Sequence, residues 1–507
     1  MNKFLLVLVT IASAIAATFA HAPYQLWPLM LLGIAVLWLV SARRALAAGA
    51  LGFIWGFTYF FLHLDWVHFA AGIYLAQVLL AAVLALFFAA TAVIWSWLHR
   101  ARLPLIVRLM AATAVAVAVE QLRGAWPLGG MPWGKTAFAV VDSPLVRLAP
   151  WGSTALVGAA TFFIALCLAS LFAEIRRREF STAVLAGSVG VILIFAPLAL
   201  PVGNKPTGNI TLGIVQGNGP TDPGPDRALR VTESHVSASR ELDLTGLDLV
   251  LWPESASDRD IRQDARALEL VQAAQDAAQV PILLGTQKYF DGVRHNDYVV
   301  FKAGGVTDSY TKQHPVPFGE YVPWRETARK VTSAVDMIST DMVAGREPAY
   351  VTVGNWQIAT PICFEVAYDQ IVAEAVLAGA QLIVVPTNNA SFGDSNEPYQ
   401  QFAMTKFRAI EHGRSAVQVS TTGTSGAVMP TGLVRYQTEL FVADAHTVTL
   451  PLAQDTTIAA RTAGVREIIV YFLGVAGLLA ALLRMPRRAA QRKPAGAGIT
   501  QQGQPRR

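Results

Sequence analysis

Three segments of this 507-residue chain carry side chains that together can run acyl-transfer chemistry. Cys363, in TPICFEVAYD, offers a thiol. Glu254, in LWPES, offers a carboxylate beside Trp252 and Pro253, where partial burial raises its affinity for a proton. Lys312, in YTKQHPVPFGEYVP, offers a cation, and Glu320, eight residues on, a carboxylate able to orient that cation or a substrate. A thiol attacking an ester or amide needs a base to take its proton and a donor to hold the oxyanion, and Glu254 and Lys312 fit those roles. The bland alternative for Cys363 is a small buried hydrophobe. Against it, the only other cysteine, Cys167, lies inside an apolar run and cannot serve as a disulfide partner. Cys363 is also expected at a strand end just before a helix near Ala367, where amide groups and the helix dipole favour a thiolate.

The elements that must position these groups are short apolar runs ending in polar turns, alternating with helix-like stretches. NITLGIVQGN, LDLVLWPES, PILLGTQ, NDYVVFKAG, WQIATPICFE, LIVVPTN and SAVQVST read as strands; 261–278, 367–380 and 400–411 read as helices. This is an α/β pattern. Glu254, Cys363 and the pair Asn388 and Asn389 each fall where a strand runs out, the place where ligands meet catalytic groups in layered α/β folds. The two asparagines are therefore candidates for substrate binding.

That α/β region is framed by a different composition. The chain is 53% hydrophobic and only 15% charged, too apolar for an ordinary soluble enzyme. Apolar runs fit for a bilayer core cover Phe4–Ala20, Leu26–Ala42, Ala45–Leu62, Ile73–Leu98, Leu105–Val119, Ala155–Phe172 and Ala183–Leu200, with an eighth at Ile468–Leu483. The net charge of +5 comes from basic residues at the ends of these runs, which speaks for membrane topology and against nucleic-acid binding. Arg43 and Arg44, Arg100 and Arg102, Arg176 to Arg178, and Arg484, Arg487 and Arg488 follow every second run. By the positive-inside rule those loops are cytoplasmic, and the α/β region lies outside. The first run exceeds a typical signal-peptide core and is expected to be a retained helix. The expected division is a seven-helix membrane domain over 1–205, a catalytic domain over 206–460, a membrane helix over 461–485 and a disordered basic tail over 486–507.

In combination, WPESA, YTKQHPVPFGEYVP and PICFE resemble the Glu–Lys–Cys segments of the nitrilase (carbon-nitrogen hydrolase) superfamily. The membrane frame narrows the resemblance to the bacterial apolipoprotein N-acyltransferases; EQLRG with Glu120 and Arg123, GGMPW, QGN and FRAIEHGR fit as well. The resemblance covers nearly the whole chain apart from the basic tail. It departs from the family pattern at Ser391, where a tryptophan is usual, at Pro315, and in the lack of an aromatic just beyond QGN.

The resemblance implies an αββα sandwich facing the periplasm from the bacterial inner membrane, with no cofactor. It implies Glu254 as general base, Lys312 as oxyanion holder and Cys363 as nucleophile, supported by Glu320, Phe364 and Glu365. The acyl donor would be a membrane phospholipid and the acceptor the N-terminal amine of a diacylated apolipoprotein, with a thioester between. Glu120 and Arg123 are expected to pair and anchor a loop, and are also candidates for substrate contact because polar groups at membrane depth are functional suspects. His63, Asp65 and His68 have metal-binding side chains, but the reading here is that no metal is bound. Two rival functions are a membrane-tethered amidase and a catalytically silent lipoprotein-binding protein.

Overall fold

Central strands buried on both faces build two sheets that share one core. The computed structural model describes residues 2–177, 180–220, 222, 224–330 and 332–485; the tail expected to be disordered lies outside the described residues.

Seven apolar helices come first: α1 (Lys3–Thr18), α2 (Pro28–Ser41), α3 (Ala45–His63), α4 (Tyr74–Arg100), α5 (Leu105–Ala125), α6 (Ala149–Arg177) and α7 (Phe180–Phe195). The strands and helices of the α/β region follow: β1 (Pro206–Gln216), α8 (Arg227–Ser239), β2 (Leu249–Leu251), α9 (Ala265–Ala278), β3 (Ile282–Phe290), β4 (Val293–Lys302), β5 (Gly305–Thr311), β6 (Tyr350–Val353), β7 (Trp356–Ala359), α10 (Asp369–Leu377), β8 (Leu382–Thr387), α11 (Glu397–His412), β9 (Ala416–Ser420), β10 (Gly426–Val428), β11 (Val434–Gln437) and β12 (Asp444–Ala453). Helix α12 (Ala463–Leu483) closes the described chain.

Among the described residues five helical segments are long and apolar enough to cross a membrane, and α1, α2 and much of α7 are shorter apolar helices. Small residues set the packing, as lipid provides no hydrophobic drive between helices. A Cβ at Gly52 would lie 2.6 Å from the Ala92 Cβ, and one at Gly474 2.3 Å from the Ala118 Cβ. The second contact seats α12 against α5, although 337 residues separate α5 from α12 in the chain (463 minus 125, less one).

The α/β region forms two six-stranded sheets, β12-β1-β2-β3-β4-β5 and β11-β10-β9-β8-β7-β6. Strands β1, β2 and β3 run parallel, as do β7, β8 and β9. The strand period of two sorts side chains to opposite faces. Leu249 and Leu251 join Leu382, Val384, Val417 and Val419 in the core between the sheets. Val250, Ile282 and Leu284 turn the other way, against Ala267 and Val271 of α9. On the far side Ile383 and Val385 pack with Val372 of α10 and Met404 and Phe407 of α11, in a core continuous with the membrane helices. The order is helix, sheet, sheet, helix, then membrane frame.

Candidate active site

Each candidate group sits just beyond the C-terminal end of a strand. Glu254 lies past β2, and its backbone presses against β3: a Cβ at Gly285 would lie 2.6 Å from the Glu254 Cα, so only glycine fits. Asn296 Nδ2 donates to Glu254 Oε1 at 2.6 Å, and the Asn388 amide donates to Oε2 at 2.9 Å. Lys312 follows β5 and is fully buried, with Nζ 2.6 Å from Glu320 Oε1 and 3.6 Å from Glu254 Oε1. Glu320 is held in turn by the Val316 amide, which donates to Oε2 at 2.7 Å.

Cys363 starts a single 3-10 turn, Cys363–Ala367, with φ at +54°, a strained value for a side-chain-bearing residue. Glu365 in that turn fixes its place. Its carboxylate accepts from Tyr310 Oη at 2.9 Å, from the amides of Gln313 at 2.7 Å and His314 at 3.0 Å, and from Ile362 at 2.8 Å. One carboxylate thus ties the Cys363 turn to the segment carrying Lys312.

Electrostatics sort the groups. Burial pushes Glu254 above the usual carboxylate range, against the pull of Lys312, with Glu320 adding to the rise. Burial also pushes Glu365 up to about 7, while Lys312 and its amide donors pull it down. Burial opposes the charge on Lys312, yet Glu320 and Glu254 outweigh it and hold the ammonium protonated. The Cys363 thiol is raised by burial and by Glu254, with Lys312 opposing. That corrects the expected helix-stabilised thiolate: the next helix begins six residues on, at Asp369, and the resting sulfur is a neutral thiol. A base is therefore required, and a carboxylate of raised pKa is a better proton acceptor than an ordinary one.

The remaining expected residues divide. Phe364 stacks on Trp133 of the membrane frame, with centroids 5.0 Å apart. Asn388 binds Glu254 through its backbone, and its Oδ1 accepts from the Ala390 amide at 3.1 Å and the Thr421 hydroxyl at 2.9 Å. The Asn389 side chain is 1% exposed and bonded to Glu397, Gln401 and Ser420. Asn389 is committed to buried scaffold bonds, which speaks against substrate contact, whereas Asn388 is half-buried beside Glu254.

Glu120 and Arg123 do not pair with each other among the described residues, contrary to expectation. Glu120 Oε1 accepts from the Thr136 amide at 2.8 Å, and Arg123 Nη1 donates to the carbonyls of Met131 and Trp133 at 2.5 and 2.8 Å. Each anchors the loop after α5 separately. Both also border an apolar crevice with Leu37, Phe88, Trp95 and Phe162, and Glu120 Oε2 has no partner there. His63 stacks on Tyr59 and packs at a tilt against His21, whereas His68 stacks with Tyr74. No group of three or more metal-ligating side chains occurs among the described residues.

Sequence reasoning missed a buried ionic seam. Asp369, the first residue of α10, lies 3.3 Å from Lys135 of the loop before α6, 2.8 Å from Arg408 of α11 and 3.9 Å from Arg466 of α12. Arg408 also pairs with Glu411 at 2.5 Å. Three cations hold Asp369 ionised: burial pushes its carboxyl up, but Lys135, Arg408 and Arg466 win and hold it far below the usual range. The only sequence signal was charge inside otherwise apolar segments. Thr387, Gln401, Asn296 and Glu397 were missed as well, being polar residues without charge pattern or with one resembling a surface helix.

A carboxylate, an ammonium and a thiol converging at strand ends of a paired-sheet fold define the carbon-nitrogen hydrolase class, here mounted on membrane helices. The carbon-nitrogen hydrolase family model matches residues 211–453, and the apolipoprotein N-acyltransferase N-terminal domain matches residues 13–167. The apolipoprotein N-acyltransferase of Azotobacter vinelandii is 32% identical over 469 residues, covering 84% of this chain and 86% of its own. That of Pseudomonas putida is 30% identical over 467 residues, covering 86% and 88%. An amidase of the nitrilase superfamily from Nesterenkonia aligns at a TM-score of 0.37 and 18% identity, over 51% of this chain and 95% of its own. The chain belongs to the apolipoprotein N-acyltransferase family.

Proposed function

We propose that this membrane acyltransferase moves an acyl chain from a phospholipid to the N-terminal amine of a diacylated lipoprotein through a thioester on Cys363. Glu254 takes the thiol proton, and Sγ attacks the ester carbonyl of the donor. Lys312 and the Phe364 amide hold the oxyanion. Glu254 returns that proton to the departing oxygen as lysophospholipid leaves; the acceptor amine then attacks the thioester, and Glu254 takes the amine proton and passes it to Sγ as the C–S bond breaks. Glu320 keeps Lys312 charged and in place.

The observation that carries this reading over a tethered amidase is where the nucleophile turn sits. Phe364, next to Cys363, stacks on Trp133, and Tyr368 Oη donates to the Gly129 carbonyl at 3.2 Å, both partners belonging to the loop after α5. A thiol at the seam with membrane helices suits substrates held in the bilayer, since extracting a lipid chain costs about 0.8 kcal/mol per methylene. The catalytic domain would span about 206–460 and face the periplasm from the inner membrane. Cysteines introduced at Asp291 and Gln454 should then be labelled from outside, and one at Arg102 should not; labelling at Arg102 overturns the orientation.

The chemistry is tested by intact-mass analysis of the purified protein with a defined phospholipid and no acceptor. One acyl mass should appear on Cys363, be released by neutral hydroxylamine, and be matched by an equal amount of lysophospholipid. Cys363→Ala should gain none and transfer none. Transfer to a diacylated lipopeptide by that variant would remove the covalent mechanism.

A further inference from the structure

Two donors from separate elements converge on the Cys363 sulfur. Thr387 Oγ1, at the end of β8, lies 3.3 Å from Sγ, and Gln401 Nε2, on the second turn of α11, lies 3.6 Å away. A thiol sulfur is a weak acceptor. Committing two wholly buried donors to it gains little while sulfur is neutral, and much when it carries a negative charge, because hydrogen bonds to charged groups are roughly twice as strong.

The direction of these donors is set by a chain that starts at a backbone amide. The Gly423 N–H, which has no alternative role, donates to Ser420 Oγ at 2.9 Å. Ser420 in turn donates to Asn389 Oδ1 at 2.5 Å, so the Asn389 amide nitrogen must face the other way. Asn389 Nδ2 gives its two protons to Glu397 Oε2 at 2.7 Å and Gln401 Oε1 at 3.0 Å, and lies 3.4 Å from Thr387 Oγ1. With its oxygen engaged, Gln401 can only present its NH2 to sulfur. The Thr387 hydroxyl donates to no other acceptor among the described residues, so its proton is free for Sγ. Ser420, Thr387 and Gln401 are 0% exposed and Asn389 1%, so water does not compete for these bonds. A Cβ at Gly423 would lie 2.3 Å from Asn389 Oδ1, so the turn that starts the chain admits only glycine.

We propose that Thr387 and Gln401 are catalytic donors to Cys363 Sγ that stabilise it as attacking thiolate and, above all, as leaving thiolate when the thioester is discharged, with Asn389 as their positioning residue. This rests on Cys363 being the nucleophile. In discharge the amine lone pair forms the N–C bond, and the carbonyl pair moves onto oxygen. Collapse of that intermediate breaks C–S, the bonding pair goes to Sγ, and the amine proton passes to Glu254 and from there to Sγ. Lys312 serves the oxygen; Thr387 and Gln401 serve the sulfur.

The test uses the full-length protein in lipid nanodiscs with Thr387→Val, Gln401→Met, the double variant, and Thr387→Ser, which keeps the hydroxyl. One measurement is the pH dependence of iodoacetamide alkylation at Cys363, read on its own peptide. The other is single-turnover discharge of preformed acyl-Cys363 by a diacylated lipopeptide. The charges facing Sγ are Glu254 from beyond β2, Lys312 from beyond β5 and Glu397 from α11, and all are unchanged in the variants. Each single variant should move the alkylation midpoint up by about one pH unit and slow discharge about tenfold, the scale of a charge-assisted hydrogen bond. The double variant should exceed either, and Thr387→Ser should behave as wild type. An unmoved alkylation midpoint together with wild-type discharge in the double variant overturns the proposal. So does slowed discharge in Thr387→Ser equal to that in Thr387→Val, which would mean packing. If wild type itself gains no acyl mass on Cys363, it is the nucleophile reading that fails.

Discussion

Two buried ionic clusters lie on either side of the Cys363 turn, and they have opposite electrical characters. At the strand ends, two carboxylates and one ammonium surround a thiol: Glu254 and Glu320 share Lys312. At the seam, three cations surround one carboxylate, Asp369, and Glu411 supplies a second partner to Arg408. Burial raises the cost of every charge in both places. In the first cluster negative groups compete for a single cation, so Glu254 rises and keeps an appetite for a proton. In the second, cations are in excess and Asp369 cannot take a proton. The ratio of partners, not burial, separates a site poised to react from a joint that is locked.

The sharpest way to break this contrast is to neutralise one carboxylate on each side. Glu254→Gln should lower the acylation rate by about 100-fold to 10,000-fold, the usual contribution of a positioned base. It should leave the apparent melting temperature unchanged or higher, because its raised pKa means the folded state gains nothing from that charge at neutral pH. Substantial melting loss with retained acylation would exchange the roles assigned to the two clusters.

Next in size, Lys312→Arg should cost about 100-fold to 1,000-fold in rate, since a guanidinium keeps the charge but not the reach of an oxyanion donor. Near-normal turnover would show that another group holds the oxyanion.

Asp369→Asn should do the reverse of Glu254→Gln. Removing one partner of a buried ion cluster costs about 3 to 5 kcal/mol, so melting should fall steeply while any acylation that survives keeps its wild-type pH profile. A melting temperature equal to wild type would mean the seam carries no stability.

The smallest effect is the pH dependence. Asp369 has a depressed folded-state pKa, so its stabilisation is complete above the ordinary carboxylate range and is lost only as pH falls through the depressed value. Glu254 is raised, so acylation should climb with pH through a midpoint above that ordinary range, a limb absent from Glu254→Gln. Stability and acylation titrating together would merge the two clusters into one.

Reading by spacing picked out Glu254 and Cys363 because each follows an apolar strand, a pattern carried by neighbouring residues alone; Lys312 follows the polar strand β5 and was reached only through the role its charge could fill. The strand alternation was legible for the same reason: Leu249 and Leu251 face one core and Val250 another. Three helices of the α/β region were found to within a few residues, with α10 beginning at Asp369, two residues later than expected, after the 3-10 turn, while α8 (Arg227–Ser239) was not read. Asn389 was misjudged since nothing local tells whether a carboxamide beyond a strand meets substrate or Ser420 of a neighbouring strand. Glu120 and Arg123, three residues apart on one helix, looked like a pair, but each is drawn to the backbone of the loop beyond.

By itself the sequence determined the apolar runs, the strands β1 to β4 and β7 to β9 with three of the helices between them, and the residue types at those strand ends, because hydrophobic period and charge placement act over a few residues at a time. Only the tertiary structure decided which of those groups face one another. The neutral state of the Cys363 thiol follows from burial among Glu254, Lys312 and Glu397, which come from three different elements. The ionised state of Asp369 depends on Lys135, Arg408 and Arg466, which no window along the chain contains together. Charge state inside a protein is set by the distance and number of partners in space, and folding alone fixes both.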